Sequence, residues 1–147
     1  MRDQDIEKRL QEFRSLCRER GLPLTVQRRE VFREVLERED HPTADQVFDA
    51  LADRLPGLSR TTVYRILGVL VDMGAVRRLY HPGAVARFDG KVTRHHHLIC
   101  RQCAKVIDIQ DTVWDGLALP DTANQDFEIE DFSVYFSGVC SECRKRE

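Results

Sequence analysis

The 147-residue chain has no excess of basic charge: Lys and Arg total 23 against 25 Asp and Glu, a formal net charge of −2. It therefore lacks the overall basic character usual in a dedicated nucleic-acid binder. Long hydrophobic runs are also missing. The longest span a handful of residues, against the roughly 20 that a membrane helix needs, so no membrane partner is expected. Met1 is followed by Arg2, Asp3, Gln4 and Asp5 with no apolar core behind them, so no secretory signal is read and the expected location is cytoplasmic. No internal repeat or low-complexity tract is present. A hydrophobic content of 41% beside 33% charged residues excludes a disordered or fibrous chain. The length admits one domain, or two small ones with modest cores.

Cysteine is scarce but patterned. The five cysteines include two tight pairs, Cys100-x-x-Cys103 and Cys140-x-x-Cys143, with Cys17 alone on a predicted helix as a core filler. One such pair is a weak signal, shared with redox motifs. Two in a chain with no export signal suggest a tetrahedral four-cysteine zinc site, each pair giving two thiolates from a turn. About 36 residues separate the pairs, so the metal would staple a subdomain rather than one hairpin. Unrelated buried or redox cysteines are the alternative.

Apolar residues at Ile6, Leu10, Phe13 and Leu16 recur every three or four positions and predict a first helix over 3–20, with Gly21 just past its end. Thr25 can cap a second, with a stripe of Val31, Phe32, Val35 and Leu36. Thr43 and Gln46 form a capping box for a third, carrying Val47, Phe48, Leu51 and Leu55, which Pro56-Gly57 ends. Ser59 can cap a fourth, with Val63, Ile66, Leu67 and Leu70 inward and Gly74 closing it. A strand over 75–80, a His81-Pro82-Gly83 turn and a strand over 85–89 complete the pattern of a winged helix-turn-helix. Beyond Asp89 the pattern changes. Strands are expected at 97–100 and 105–109, a short helix at 112–119, a polar loop at 121–125 and a long strand at 127–139. The expected fold is α/β (α+β): a winged-helix domain over 1–88, then a small α/β metal-binding domain over 89–147 with a strand edge that could pair with another copy.

Charge divides along the same line. Residues up to Val85 carry 15 basic and 14 acidic side chains, and those from Ala86 onward 8 and 11. Within Arg54–Tyr80, five arginines face Asp72 alone, and this segment holds the fourth helix and the first wing strand. The N-terminal end of such a helix enters the major groove. Ser59, Arg60, Thr61, Thr62, Tyr64 and Arg65, joined by Arg28 and Arg77, are therefore the expected base and phosphate contacts to double-stranded DNA.

A second metal constellation involves His95, His96 and His97. On a strand, His95 and His97 share one face and His96 takes the other. Asp108 lies just past the first cysteine pair, Asp89 at the domain boundary and His41 before the third helix. Imidazole and carboxylate donors offer mixed N/O chemistry suited to Fe(II) or Mn(II), whereas thiolates favour zinc.

The stretches His41-Pro-Thr-Ala-Asp-Gln-Val-Phe48, Thr61-Thr-Val-Tyr-Arg65, Arg87-Phe-Asp89 and His95-His-His-Leu-Ile-Cys100, with the paired cysteines, resemble the Fur family of metal-dependent repressors. The likeness covers nearly the whole chain in the right order. It implies a homodimeric transcriptional regulator and not an enzyme, with no small organic substrate. It implies Cys100, Cys103, Cys140 and Cys143 as structural zinc ligands, and His41, Asp89, His95, His97 and Asp108 as the regulatory site. Aspartate at 108 resembles the peroxide-sensing PerR subfamily, where iron-uptake regulators usually have Glu. In that subfamily, iron-driven peroxide chemistry oxidises a metal-bound histidine, here His41 or His95, and releases the operator. Many iron regulators carry a further site with a histidine before His95 and another in the last strand. Arg94, and the lack of any histidine after His97, imply that this site is absent or weakened. Ala104 stands where the family usually has Gly after the second zinc cysteine. Rival readings are an iron-responsive Fur repressor released by iron loss, a zinc sensor, a CxxC thiol-disulfide oxidoreductase and a zinc-ribbon interaction module.

Overall fold

The computed structural model describes residues 1–79, 85–110 and 112–146. The chain divides into two compact units, Met1–Val92 and Thr93–Glu147. The predicted His81-Pro82-Gly83 turn lies outside the described residues.

The first unit opens with α1 (Asp3–Glu19), which buries Ile6, Leu10, Phe13 and Cys17. Apolar residues one helical turn apart have only one way to leave water together, so this stripe faces the other helices. Thr25 caps α2 (Val26–Glu37) by accepting from the Arg28 N–H, and α2 buries Val31, Phe32, Val35 and Leu36. Phe13 and Phe32 meet edge to face with centroids 4.9 Å apart. The Thr43–Gln46 capping box starts α3 (Ala44–Leu51), and Ser59 caps α4 (Arg60–Asp72) by accepting from the Thr62 N–H. Gly57, between them, sits at φ +87°, a conformation that costs a residue with a Cβ about 1–2 kcal/mol.

The hairpin is shorter than its sequence pattern suggests. β1 covers Arg77–Leu79 and β2 covers Arg87–Asp89, pairing antiparallel with Arg78 opposite Phe88. Ala75 and Val76 stay out of the strand because their N–H groups both go to the carbonyl of Leu70, at 2.9 and 3.3 Å, closing the end of α4. Two contacts fix the far end of β2. Arg9 on α1 donates to the carbonyls of Ala75 and Gly90, each at 2.7 Å. Gly90 lies so close to α2 that a Cβ there would come 2.9 Å from Leu36 Cδ2 and 3.3 Å from its Cα.

The second unit is a three-stranded sheet in the order β4-β3-β5. β3 (His96–Cys100) pairs antiparallel with β4 (Val106–Ile109) and parallel with β5 (Tyr135–Gly138). The short helix α5 (Ser141–Arg144) follows. Two expectations are corrected here. The helix at 112–119 is a 3₁₀ turn over Thr112–Gly116, because Gly116 and Pro120 punctuate the segment before an i to i+4 ladder can build. Among the described residues, the strand at 127–139 pairs only over Tyr135–Gly138. Alternation sets which residues could face inward, but a strand persists only while a neighbour accepts its ladder, and β3 supplies five residues. Among the described residues no helix is long and apolar enough to cross a membrane.

Gly90→Ala is expected to destabilise the protein by about 1–3 kcal/mol, the usual cost of inserting a methyl into packed surroundings. Denaturant unfolding with an unchanged m-value would show it.

Candidate metal centre

The parallel pairing of β3 and β5 sets Cys100 opposite Gly138. Both strands leave the sheet at the same end, and each runs into a cysteine pair. The four sulfurs lie within 4.8 Å of one another. Cys103 Sγ is 3.8 Å from Cys140 Sγ, too far for a disulfide at about 2.05 Å. A regular tetrahedron with Zn–S bonds of about 2.3 Å has an S···S edge of about 3.8 Å, so the cluster fits zinc.

Thiol acidity follows from this crowding. Backbone N–H groups of Cys103 and Cys140 donate to the Cys100 sulfur and lower it to about 6, whereas neighbouring thiols, led by Cys140, push Cys143 up to about 12. Four sulfurs this close cannot all carry negative charge unless a cation sits among them. The turn carries a small strain. Ala104 lies at φ +60° while its N–H closes the turn on the carbonyl of Cys100 at 2.9 Å.

The predicted regulatory ligands fall into two sets. In the first unit, His41 lies at φ +54°, a left-handed conformation uncommon outside glycine. Arg87 holds it there, its Nη1 donating to the carbonyl of His41 at 2.9 Å, while the Phe88 N–H donates to the carbonyl of Pro42 at 2.9 Å. Asp89 Oδ1 accepts from the Lys91 N–H at 2.8 Å, and Oδ2 lies 3.3 Å from His41 Nε2. In the second unit, His95 Nε2 and His97 Nε2 lie 3.4 and 3.5 Å from the same oxygen of Asp108. His95 Nδ1 donates to the carbonyl of Thr93 at 2.7 Å, which fixes the tautomer that leaves Nε2 to face Asp108. His97 stacks on Tyr135 with centroids 5.5 Å apart. Each set offers imidazole nitrogen and carboxylate oxygen with no thiolate, a chemistry that suits Fe(II) or Mn(II).

The residues expected at DNA behave less uniformly. Thr61, Tyr64 and Arg65 are exposed on α4. Ser59 and Thr62 are partly spent on the cap, their hydroxyls 2.8 Å apart. Arg60 turns back toward α3, 2.9 Å from Asp45 and 3.3 Å from Asp49, with its guanidinium 4.6 Å from the Phe48 ring centroid. It ties α3 to α4. Arg28 donates to the carbonyl of Pro23, and Arg77 is half-buried in β1. Arg9 and Gly90 carry no signal in the sequence, and Arg87 stands out there only within the Arg87-Phe-Asp89 stretch. Their contacts span 46 or more positions for Arg87 and Arg9, so no local pattern could announce them.

A four-helix unit with a short hairpin, joined in sequence to a sheet unit with a zinc-fitting thiol cluster and N/O donor sets, has the features of a metal-responsive regulator. The Ferric uptake regulator family model matches residues 19–137. A peroxide-responsive repressor PerR from Staphylococcus aureus is 32% identical over 143 residues, 97% of each chain. The PerR structure from Streptococcus pyogenes, solved for peroxide sensing and gene regulation, is 26% identical with TM-score 0.54, covering 91% of this chain and 92% of that one. The ferric uptake regulator of Helicobacter pylori shares the fold at TM-score 0.78 and 22% identity, covering 95% and 93%. This chain belongs to the ferric uptake regulator family, whose members are regulators and not enzymes.

Ala104→Gly is expected to slow chelator-driven zinc loss and raise stability by up to about 1 kcal/mol, the left-handed penalty less the added unfolded-state entropy. Because Cys143 must surrender a proton held up to about 12, zinc binding releases protons. Affinity should therefore rise with pH between about 6 and 8, as competition with a chromophoric chelator would measure.

Proposed function

We propose that this chain is a metal-dependent transcriptional repressor of the peroxide-sensing type. It binds double-stranded operator DNA as a homodimer when Fe(II) or Mn(II) is held by His41, Asp89, His95, His97 and Asp108. Structural zinc is held by Cys100, Cys103, Cys140 and Cys143. The observation that carries this reading is the division of the N/O donors. His41 and Asp89 lie paired in one unit, and His95, His97 and Asp108 are grouped in the other.

His95, His97 and Asp108 make a three-ligand set with coordination positions left open, and an ion that also took His41 and Asp89 would draw both units to one centre. A form that binds metal better than its alternatives is populated in proportion to that difference. In a dimer this fixes the separation of the two α4 helices, which must match half-sites about one helical turn apart or a multiple of it. Thr61, Tyr64 and Arg65 then meet base edges and phosphates, with Arg77 and Arg28 on the backbone. The exposed Leu98 and Ile107 on the sheet offer apolar area for the second copy.

Fe(II), held by these five residues, would supply the reducing power for peroxide chemistry beside them, which Mn(II) would not do readily. His41 and His95 are the side chains expected to gain oxygen, and an oxidised imidazole no longer offers the same lone pair. Aspartate at 108 and the likeness to the S. aureus PerR favour this outcome. The match to the ferric uptake family supports a second reading, an iron-responsive repressor released by loss of iron.

The test uses zinc-loaded full-length protein and a duplex it selects from a random pool. Fe(II) or Mn(II) is expected to strengthen binding about 5–150-fold by fluorescence anisotropy. Peroxide should abolish binding by the iron form only, with one added oxygen on the peptide containing His41 or His95. An iron form that survives peroxide unmodified, and lets go only under a chelator, would replace this reading with the iron-responsive one.

A further inference from the structure

The middle histidine of the run His95-His96-His97 has no place among the metal ligands, yet it is as buried as its neighbours, at 1% exposure for each of the three. Its two ring nitrogens are both engaged. The Val134 N–H donates to His96 Nδ1 at 3.1 Å, so Nδ1 bears no proton and the neutral ring carries it on Nε2. That N–H donates to Asp115 Oδ1 at 2.9 Å. Asp115 belongs to the 3₁₀ turn Thr112–Gly116, and Val134 directly precedes β5. One imidazole therefore joins three segments that are far apart in sequence.

The ring is held on its flat side as well. Phe132 stacks on it with centroids 6.1 Å apart. Arg94 lies 4.7 Å from the centroid of Phe132 and 2.9 Å from Asp131. A lone pair committed to a backbone N–H and a proton committed to a carboxylate leave this histidine nothing to offer a metal. They do leave it a mechanical role. Successive strand side chains point to opposite faces, so anchoring His96, the first residue of β3, sets the rotation of the backbone that carries His97 on the other face and His95 just before the strand. Their Nε2 atoms converge on one oxygen of Asp108.

We propose that His96 is a positioning residue for the regulatory ligands, acting through its Asp115 and Val134 hydrogen bonds to hold His95 and His97 in ligating orientation. This rests on the reading of His95, His97 and Asp108 as holders of the regulatory ion. Groups that orient metal ligands through hydrogen bonds change affinity by about 10–100-fold when lost.

The experiment measures Mn(II) affinity of zinc-loaded full-length protein by competition with a fluorescent chelator, alongside thermal unfolding without Mn(II). His96→Ala and Asp115→Ala are each expected to weaken Mn(II) binding about 10–100-fold, and the double variant little further, because both remove one coupled contact. Asp115 is 40% exposed at its side chain, so Asp115→Ala remains informative even where His96→Ala folds poorly. His96→Gln, which keeps a donor and an acceptor near the ring nitrogens, should recover most of the loss. Nitrogen-15 NMR of the Mn(II)-free protein should show the Nε2–H tautomer at His96. Wild-type Mn(II) affinity in Asp115→Ala and in His96→Ala, with only melting temperature lowered, would overturn the positioning role. An Nδ1–H tautomer would do the same. A wild-type protein that binds no Mn(II) would sink the regulatory reading and the role that rests on it, which the first outcome leaves standing.

Discussion

The parallel ladder between β3 and β5 is the constraint on which the C-terminal unit depends. Parallel strands run the same way, so both deliver the chain to one end of the sheet. Here those ends are Cys100 and Gly138, and each leads into a cysteine pair. The same ladder sets His97 opposite Tyr135 at its other end and brings the Val134 N–H to His96. One set of backbone hydrogen bonds thus fixes thiols at one end and imidazoles at the other. Three short strands make a marginal sheet in isolation. A metal tying the last turn of β3 to the turn after β5 would secure the ladder that assembles it, so sheet and zinc site depend on each other.

In the N-terminal unit the donors are set by contacts of a different kind. His41 and Asp89 occupy a loop and a strand end, places where side chains usually have freedom. That freedom is removed by Arg87 on the His41 carbonyl, the Lys91 N–H on Asp89, Arg9 across the strand end and the close seat of Gly90 against Leu36. Arg9 is desolvated there, which lowers its basicity, and its contacts to two carbonyls and the Phe32 face compensate. Donors held in place before metal arrives lose less entropy on binding, so more of the metal's interaction remains available to bias the conformation.

Much of this was legible in the sequence because the signals are local. Thr25, the Thr43–Gln46 box and Ser59 cap helices within three residues of themselves, and the strand period separates His96 from His95 and His97 without reference to anything distant. Signals fail where an outcome depends on a partner. The alternation over 127–139 continues beyond the point where β3 can pair with it. The pattern around Arg60 gives no notice of Asp45 and Asp49, which lie beside it across the turn. Net charge was the poorest guide of all, since −2 over the chain hides the arginine-rich stretch around α4.

The sequence by itself determined the chemistry of this protein. The two cysteine pairs, the histidine run and Asp108 state which donors exist and which metals suit them, because ligand preference belongs to the atom and not to the fold. Only the tertiary structure decided which of those donors are held, by what, and in which tautomer. His96 shows the difference: in sequence it equals its neighbours, and in space Asp115 and Val134 consume both its nitrogens. The physical reason is that a side chain's character is covalent and local, whereas the direction its lone pair faces is set by hydrogen bonds to residues the chain reaches only by folding.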